Sequence, residues 1–135
     1  MLKLIIGVKG TGKTKQLIEM VNHSLTTSQG SVVCVEKGDK LKFDVKYQCR
    51  LIDTENYGIC CAPALYGFIA GILASNHDVT DVYVDSALKI CEDDLEKFDM
   101  FVEKIAAYAE KSDVNFVMTA SLDVNDATET VKKYL

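Results

Sequence analysis

Eight residues near the start of the chain, Gly7-Val8-Lys9-Gly10-Thr11-Gly12-Lys13-Thr14, constrain its fold more than any other segment. The apolar run Leu2 to Ile6 precedes them, the pattern of a buried strand. Leu17, Val21 and Leu25 follow at intervals of four with Ile18 beside them, which is one face of a helix. A glycine-rich turn between strand and helix lets backbone N–H groups point inward with no Cβ in the way. The helix directs its positive end at the same place. The spacing (glycine, four residues, glycine, lysine, threonine) therefore predicts a cradle for a phosphate chain. Lys13 should set its ammonium between the β- and γ-phosphates, and Thr14 should bind a metal through its hydroxyl. The bland alternative is a glycine-rich turn with no ligand. That the motif both follows a strand and opens a helix weighs against it.

The rest of the chain continues the alternation. Gly30 closes the first helix where a left-handed cap is usual, and Ser31 to Val35 is a second strand. Gly38-Asp39-Lys40 reads as a turn, and Lys40 to Val45 as a short edge strand or a connection. Tyr47 to Ile52 reads as the next strand. Pro63 suits the first turn of a helix reaching about Ser75. Asp81 to Asp85 is again a strand. Glu92, Asp93 and Asp94 put negative charge at the start of a helix that carries Leu95, Phe98, Val102, Ile105 and Ala109 on one face. Asn115 to Ala120 makes the last strand, and Asp126 to Leu135 a short terminal helix. Such alternation predicts a three-layer α/β fold around a mostly parallel sheet of about five strands. Right-handed crossovers then line the strand C-terminal ends along one edge, where ligands bind. At 135 residues, one domain spanning 1–135 is expected.

Further chemistry is expected at that edge. Val82-Tyr83-Val84-Asp85 is an apolar strand ending in an aspartate that could hold Mg²⁺, often through water; a strand-end turn former is the alternative. Ser86 follows, where a water-positioning glutamate would otherwise stand. Asp53 or Glu55, beyond the third strand, could supply the missing base, or each could be a solvated loop carboxylate. Thr119 or Ser121 could touch the γ-phosphate, or merely close a strand. Arg50, the only arginine, could stabilise transferred charge across an oligomer interface, though its place inside a strand suits an ion-paired or solvent-facing role.

These residues carry a resemblance. The loop, the helix after it and the acidic strand end resemble the P-loop NTPases, with Gly7–Thr14 as Walker A and Val82–Asp85 as Walker B. The whole chain is similar to a group of short uncharacterised bacterial ATP-binding proteins, some labelled as twitching-motility ATPases. The resemblance implies a P-loop fold and binding of ATP with Mg²⁺. Three functions are compatible with it: a weak ATPase (a hydrolase with Lys13 as its catalytic cation), a nucleotide-dependent switch that hydrolyses little, and a small-molecule kinase. One arginine and no lid insertion disfavour the kinase.

Composition excludes other classes. The net charge of −5 argues against non-specific nucleic-acid binding and against docking on anionic lipid. The expected partners are a nucleoside triphosphate, and a second copy of the chain or another protein. Ile59 to Ala74 is uncharged but shorter than the roughly 18–20 residues of a membrane span. Five cysteines without repeated spacing, and no leader, suit a reducing cytoplasm. Cys60-Cys61 with His23 or His77 lacks zinc spacing, so buried apolar packing is expected of the cysteines. Glu36-Lys37-Gly38-Asp39 departs from a guanine-reading motif at its first position. Gly67 and Gly71 would give the second helix one smooth face, against the sheet or against a partner.

Overall fold

A computed structural model describes residues 1–135. Five strands form one sheet: β1 (Leu2–Gly7), β2 (Ser31–Glu36), β3 (Arg50–Asp53), β4 (Val79–Val84) and β5 (Asn115–Ser121). Every pairing is parallel, in the order β1-β5-β4-β2-β3. The helices are α1 (Lys13–Thr27), α2 (Ala62–Ser75), α3 (Ala87–Ile90), α4 (Leu95–Lys111) and α5 (Glu129–Lys132). None is long and apolar enough to cross a membrane. The expected α/β fold is the one found.

The two-residue period of the strands builds the layers. Ile5, Val32, Cys34, Tyr83 and Val117 point to one face, where Leu17 and Val21 of α1 cover them. Their neighbours Leu4, Val33, Val35, Val82, Val84, Phe116 and Met118 point to the other, under α2 and α4. Chain direction and layer change together. The sheet advances from β1 past β5 and β4 to β2 and then β3 on the α1 side, and returns to β4 and β5 through α2, α3 and α4. One crossover hand requires that switch of faces. The open edge of β1 is partly closed by the C-terminal residues, where the Leu4 N–H donates to the Tyr134 carbonyl at 2.8 Å.

Several expectations shift. Lys40 to Val45 contains no strand: it is a run of turns in which Leu41 and Val45 bury themselves beneath α1. The third strand starts at Arg50 rather than Tyr47, whose side chain is 91% exposed. Gly30 is not a left-handed cap; α1 ends at Thr27, and a Cβ on Gly30 would lie 2.0 Å from the Asp78 carbonyl oxygen. Close approach of two backbones is what requires glycine there. Gly67 and Gly71 face outward, since Leu65, Ile69 and Leu73 take the core side of α2. Of the paired cysteines, Cys60 is exposed and Cys61 half-buried, so neither is a packed core thiol.

Candidate functional site

The phosphate loop leaves the end of β1 and enters α1. Gly10 (φ 87°) and Gly12 (φ 86°) both adopt left-handed backbone, which a Cβ would strain. α1 opens with no side-chain cap and no acidic residue in its first turn. Its first N–H groups and positive end are therefore left open to an anion. The Thr11 hydroxyl donates to the Val8 carbonyl at 2.7 Å, and Lys13 Nζ donates to the same oxygen at 3.0 Å. Lys13 is only 9% exposed, so its ammonium is held inside the loop instead of ranging through solvent.

Asp85, just beyond β4, is buried where three elements converge. Its Oδ1 accepts from the Thr119 hydroxyl at 2.7 Å, and the Thr14 hydroxyl stands 3.2 and 3.3 Å from its two carboxylate oxygens. The Ser86 N–H donates to Thr119 Oγ1 at 2.8 Å. Because β5 lies between β1 and β4, Thr119 braces Asp85 toward the loop. A hydroxyl and a carboxylate within one hydrogen bond are hard oxygen donors. Mg²⁺ is commonly held by one or two carboxylates together with phosphate oxygens and water, so this donor set fits it. No group of three or more His, Cys, Asp or Glu side chains could form an all-protein cage.

A cavity of about 380 Å³ opens over the loop, and none of its lining residues is hydrophobic. Lys9, Lys13 and Lys15 border it from the loop side, Thr119 and Ser121 from β5. Lys40, expected in a turn, Asp93, expected at a helix start, and Lys89 border it too. Their common signal was position: each follows the C-terminal end of a strand, along the edge where ligands bind. A smaller apolar cavity of about 170 Å³ between α2 and α4 shares no residue with this one.

The structure does not gather Asp53 and Glu55 at the loop. Asp53 ends β3 and Glu55 follows it, four strand spacings from β1, roughly 19 Å at the usual separation. Asp53 Oδ1 instead accepts the N–H groups of Gly38 (2.8 Å) and Glu55 (2.9 Å). Glu55 is exposed and does not border the cavity. Arg50 begins β3, at the end of the sheet opposite the loop. Glu36 is 2% exposed and accepts the N–H groups of Lys40 (3.1 Å) and Leu41 (3.3 Å). Burial raises its pKa above the ordinary glutamate value, and these two hydrogen bonds oppose the rise. It braces the turn that carries Lys40.

No protein-family model and no curated protein matches the chain. Among solved structures, the chain is similar to the flagellar accessory protein FlaH from Methanocaldococcus jannaschii, with a TM-score of 0.59 at 15% identity. The match covers 98% of this chain and 65% of that one, so this chain spans less than two thirds of FlaH. The likeness supports the fold, an all-parallel five-stranded sheet in a three-layer α/β arrangement.

Proposed function

We propose that the chain binds Mg·ATP through Gly7–Thr14 and hydrolyses it slowly. The observation that carries this reading is the Thr14 hydroxyl lying 3.2 Å from the Asp85 carboxylate. It brings the first helical turn after the loop together with an acidic strand end two strands away. In this reading the N–H groups of residues 8–14 cradle the phosphates, Lys13 exchanges the Val8 carbonyl for phosphate oxygens, and Thr14 and Asp85 hold Mg²⁺. Bound there, Mg²⁺ would neutralise charge on the β- and γ-phosphates.

Slow turnover follows from what surrounds the cavity. Ser86 offers no carboxylate after Asp85, and Asp53 and Glu55 are committed to the far edge of the sheet. Asp93 is the carboxylate that borders the cavity, and we give it the role of orienting water. A second reading, a nucleotide-dependent switch, is favoured by one observation. Ser86 (φ 58°), Glu92 (φ 65°) and Asp93 (φ 54°) are the non-glycine residues with left-handed backbone, and they bracket the short helix α3 that follows Asp85. Backbone strain of that kind gathers at switch regions.

Chromatography of nucleotides after incubation of purified protein with Mg·ATP separates the readings. ADP formed by wild type and not by Lys13→Ala supports hydrolysis at this site. Intact ATP co-eluting with wild type supports the switch. ADP formed equally by Lys13→Ala contradicts both.

A further inference from the structure

We infer that this site reads the number of phosphates and not the base: it selects a triphosphate through Lys40 and Lys89, whatever nucleoside the chain carries. The inference rests on the nucleotide reading above and deepens it. Small-molecule sites are mostly apolar, and a base is usually gripped by stacking on aromatic or apolar side chains. No aromatic or apolar side chain lines the cavity over the loop. Its lining is instead cationic: Lys9, Lys13, Lys15, Lys40 and Lys89 stand against Asp93, with the Asp85 carboxylate buried behind Thr14 and Thr119. None of those lysines belongs to an ion pair within the chain, since the ion pairs use Lys42, Lys97 and Lys132. In a chain with a net charge of −5, five of the eleven lysines outside those ion pairs border this one opening.

Position assigns the two outer lysines. Lys9, Lys13 and Lys15 belong to the loop and the first turn of α1, with Lys13 between the β- and γ-phosphates in this reading. Lys40 follows β2 and Lys89 follows β4, so they face the loop from strands on the far side of β5. A phosphate chain seated in the loop meets them with its terminal group. Both are presented from braced backbone. In the segment Ala87–Cys91, every residue except Lys89 is buried, which leaves its side chain alone at the cavity. The turn carrying Lys40 is tied down by Glu36 at Lys40 and Leu41 and by Asp53 at Gly38. Two ammonium groups carried to the terminal phosphate from braced backbone would supply the charge that a distant Arg50 cannot.

Titration calorimetry with Mg·ATP, Mg·GTP, Mg·ADP and Mg·tripolyphosphate tests this on wild type, Lys40→Ala, Lys89→Ala and the two arginine variants. ATP and GTP should bind within about threefold of each other, less than 1 kcal/mol. Tripolyphosphate should displace ATP. Each alanine variant should lose about tenfold for ATP, the worth of one charged hydrogen bond, and under about threefold for ADP. Lys40→Arg and Lys89→Arg should restore ATP affinity, which a merely structural lysine would not require. A preference for ATP over GTP beyond about thirtyfold (2 kcal/mol) would overturn the inference while leaving nucleotide binding intact. So would alanine variants that weaken ADP as much as ATP, or tripolyphosphate that fails to compete. If none of these ligands binds wild type, the nucleotide reading falls and takes this inference with it.

Discussion

Asp85 is the residue on which the site turns, because it joins Thr14 to Thr119 through one carboxylate. Replacing it by asparagine keeps the size and an acceptor oxygen but removes the charge, so the variant separates packing from metal chemistry. Asp85→Asn should fold, and should bind ATP with the same affinity whether Mg²⁺ or EDTA is present. Wild type should bind more tightly with Mg²⁺ by about tenfold or more, as expected for a charged ligand contact. Calorimetry in the two buffers decides it, and a variant that kept the wild-type Mg²⁺ dependence would remove Asp85 from the proposed metal site. Of the residues gathered here, Gly7–Thr14 and Asp85 were legible in the sequence, because short motifs fix their chemistry. Lys40, Lys89 and Asp93 were not, because only the strand order brings the ends of β2 and β4 to the loop. Asp53 and Glu55 lie away from the loop for the same reason: acidity was visible, but the order that sends β3 to the far edge was not.

At the scale of elements, periodicity worked where one face of a helix meets the sheet. Leu17 and Val21 of α1 and Phe98, Val102, Ile105 and Ala109 of α4 are buried as their spacing demands. It failed between Gly38 and Cys49. Leu41 and Val45 are held under α1 by turns, while the Asn22 side chain bonds the Asp44 carbonyl and the Lys46 N–H. Phe43 and Tyr47, which lend that stretch a strand-like composition, are 89% and 91% exposed. Gly30 shows a different limit, since no local pattern announces a backbone crossing. Gly30→Ala should destabilise the fold by about 2 kcal/mol or more, because its Cβ would meet a carbonyl and not a flexible side chain. Thermal unfolding of the variant checks this. An unchanged Tm would mean that the β2 start and the Asp78 turn separate freely.

At the scale of the whole molecule, the thiols report on how the layers close. Burial pushes Cys49 up to about 11 and Cys91 up to about 12, and raises Cys34 well above its ordinary value. A thiolate, not a thiol, attacks alkylating reagents. Native protein at pH 8 should therefore be labelled quickly at exposed Cys60, more slowly at Cys61, and at the other three cysteines only after unfolding. Peptide mapping reads this directly. The same shifts carry a sign for stability. A thiol whose pKa is raised by folding keeps its proton longer in the native state, so stability falls as pH climbs from 9.0, the ordinary value, toward about 12. Denaturant midpoints measured across that range should fall steadily; a flat profile would show that these cysteines reach solvent.

The central claim, that Gly7–Thr14 grips the phosphates of a nucleoside triphosphate, is tested most directly by titrating Mg·ATP into wild type and Lys13→Ala at equal protein concentration. The account predicts saturable one-to-one binding by wild type and affinity about tenfold to a hundredfold weaker in the variant, from the loss of one charge-assisted contact. Binding of Mg·ATP by Lys13→Ala as tight as by wild type would contradict it.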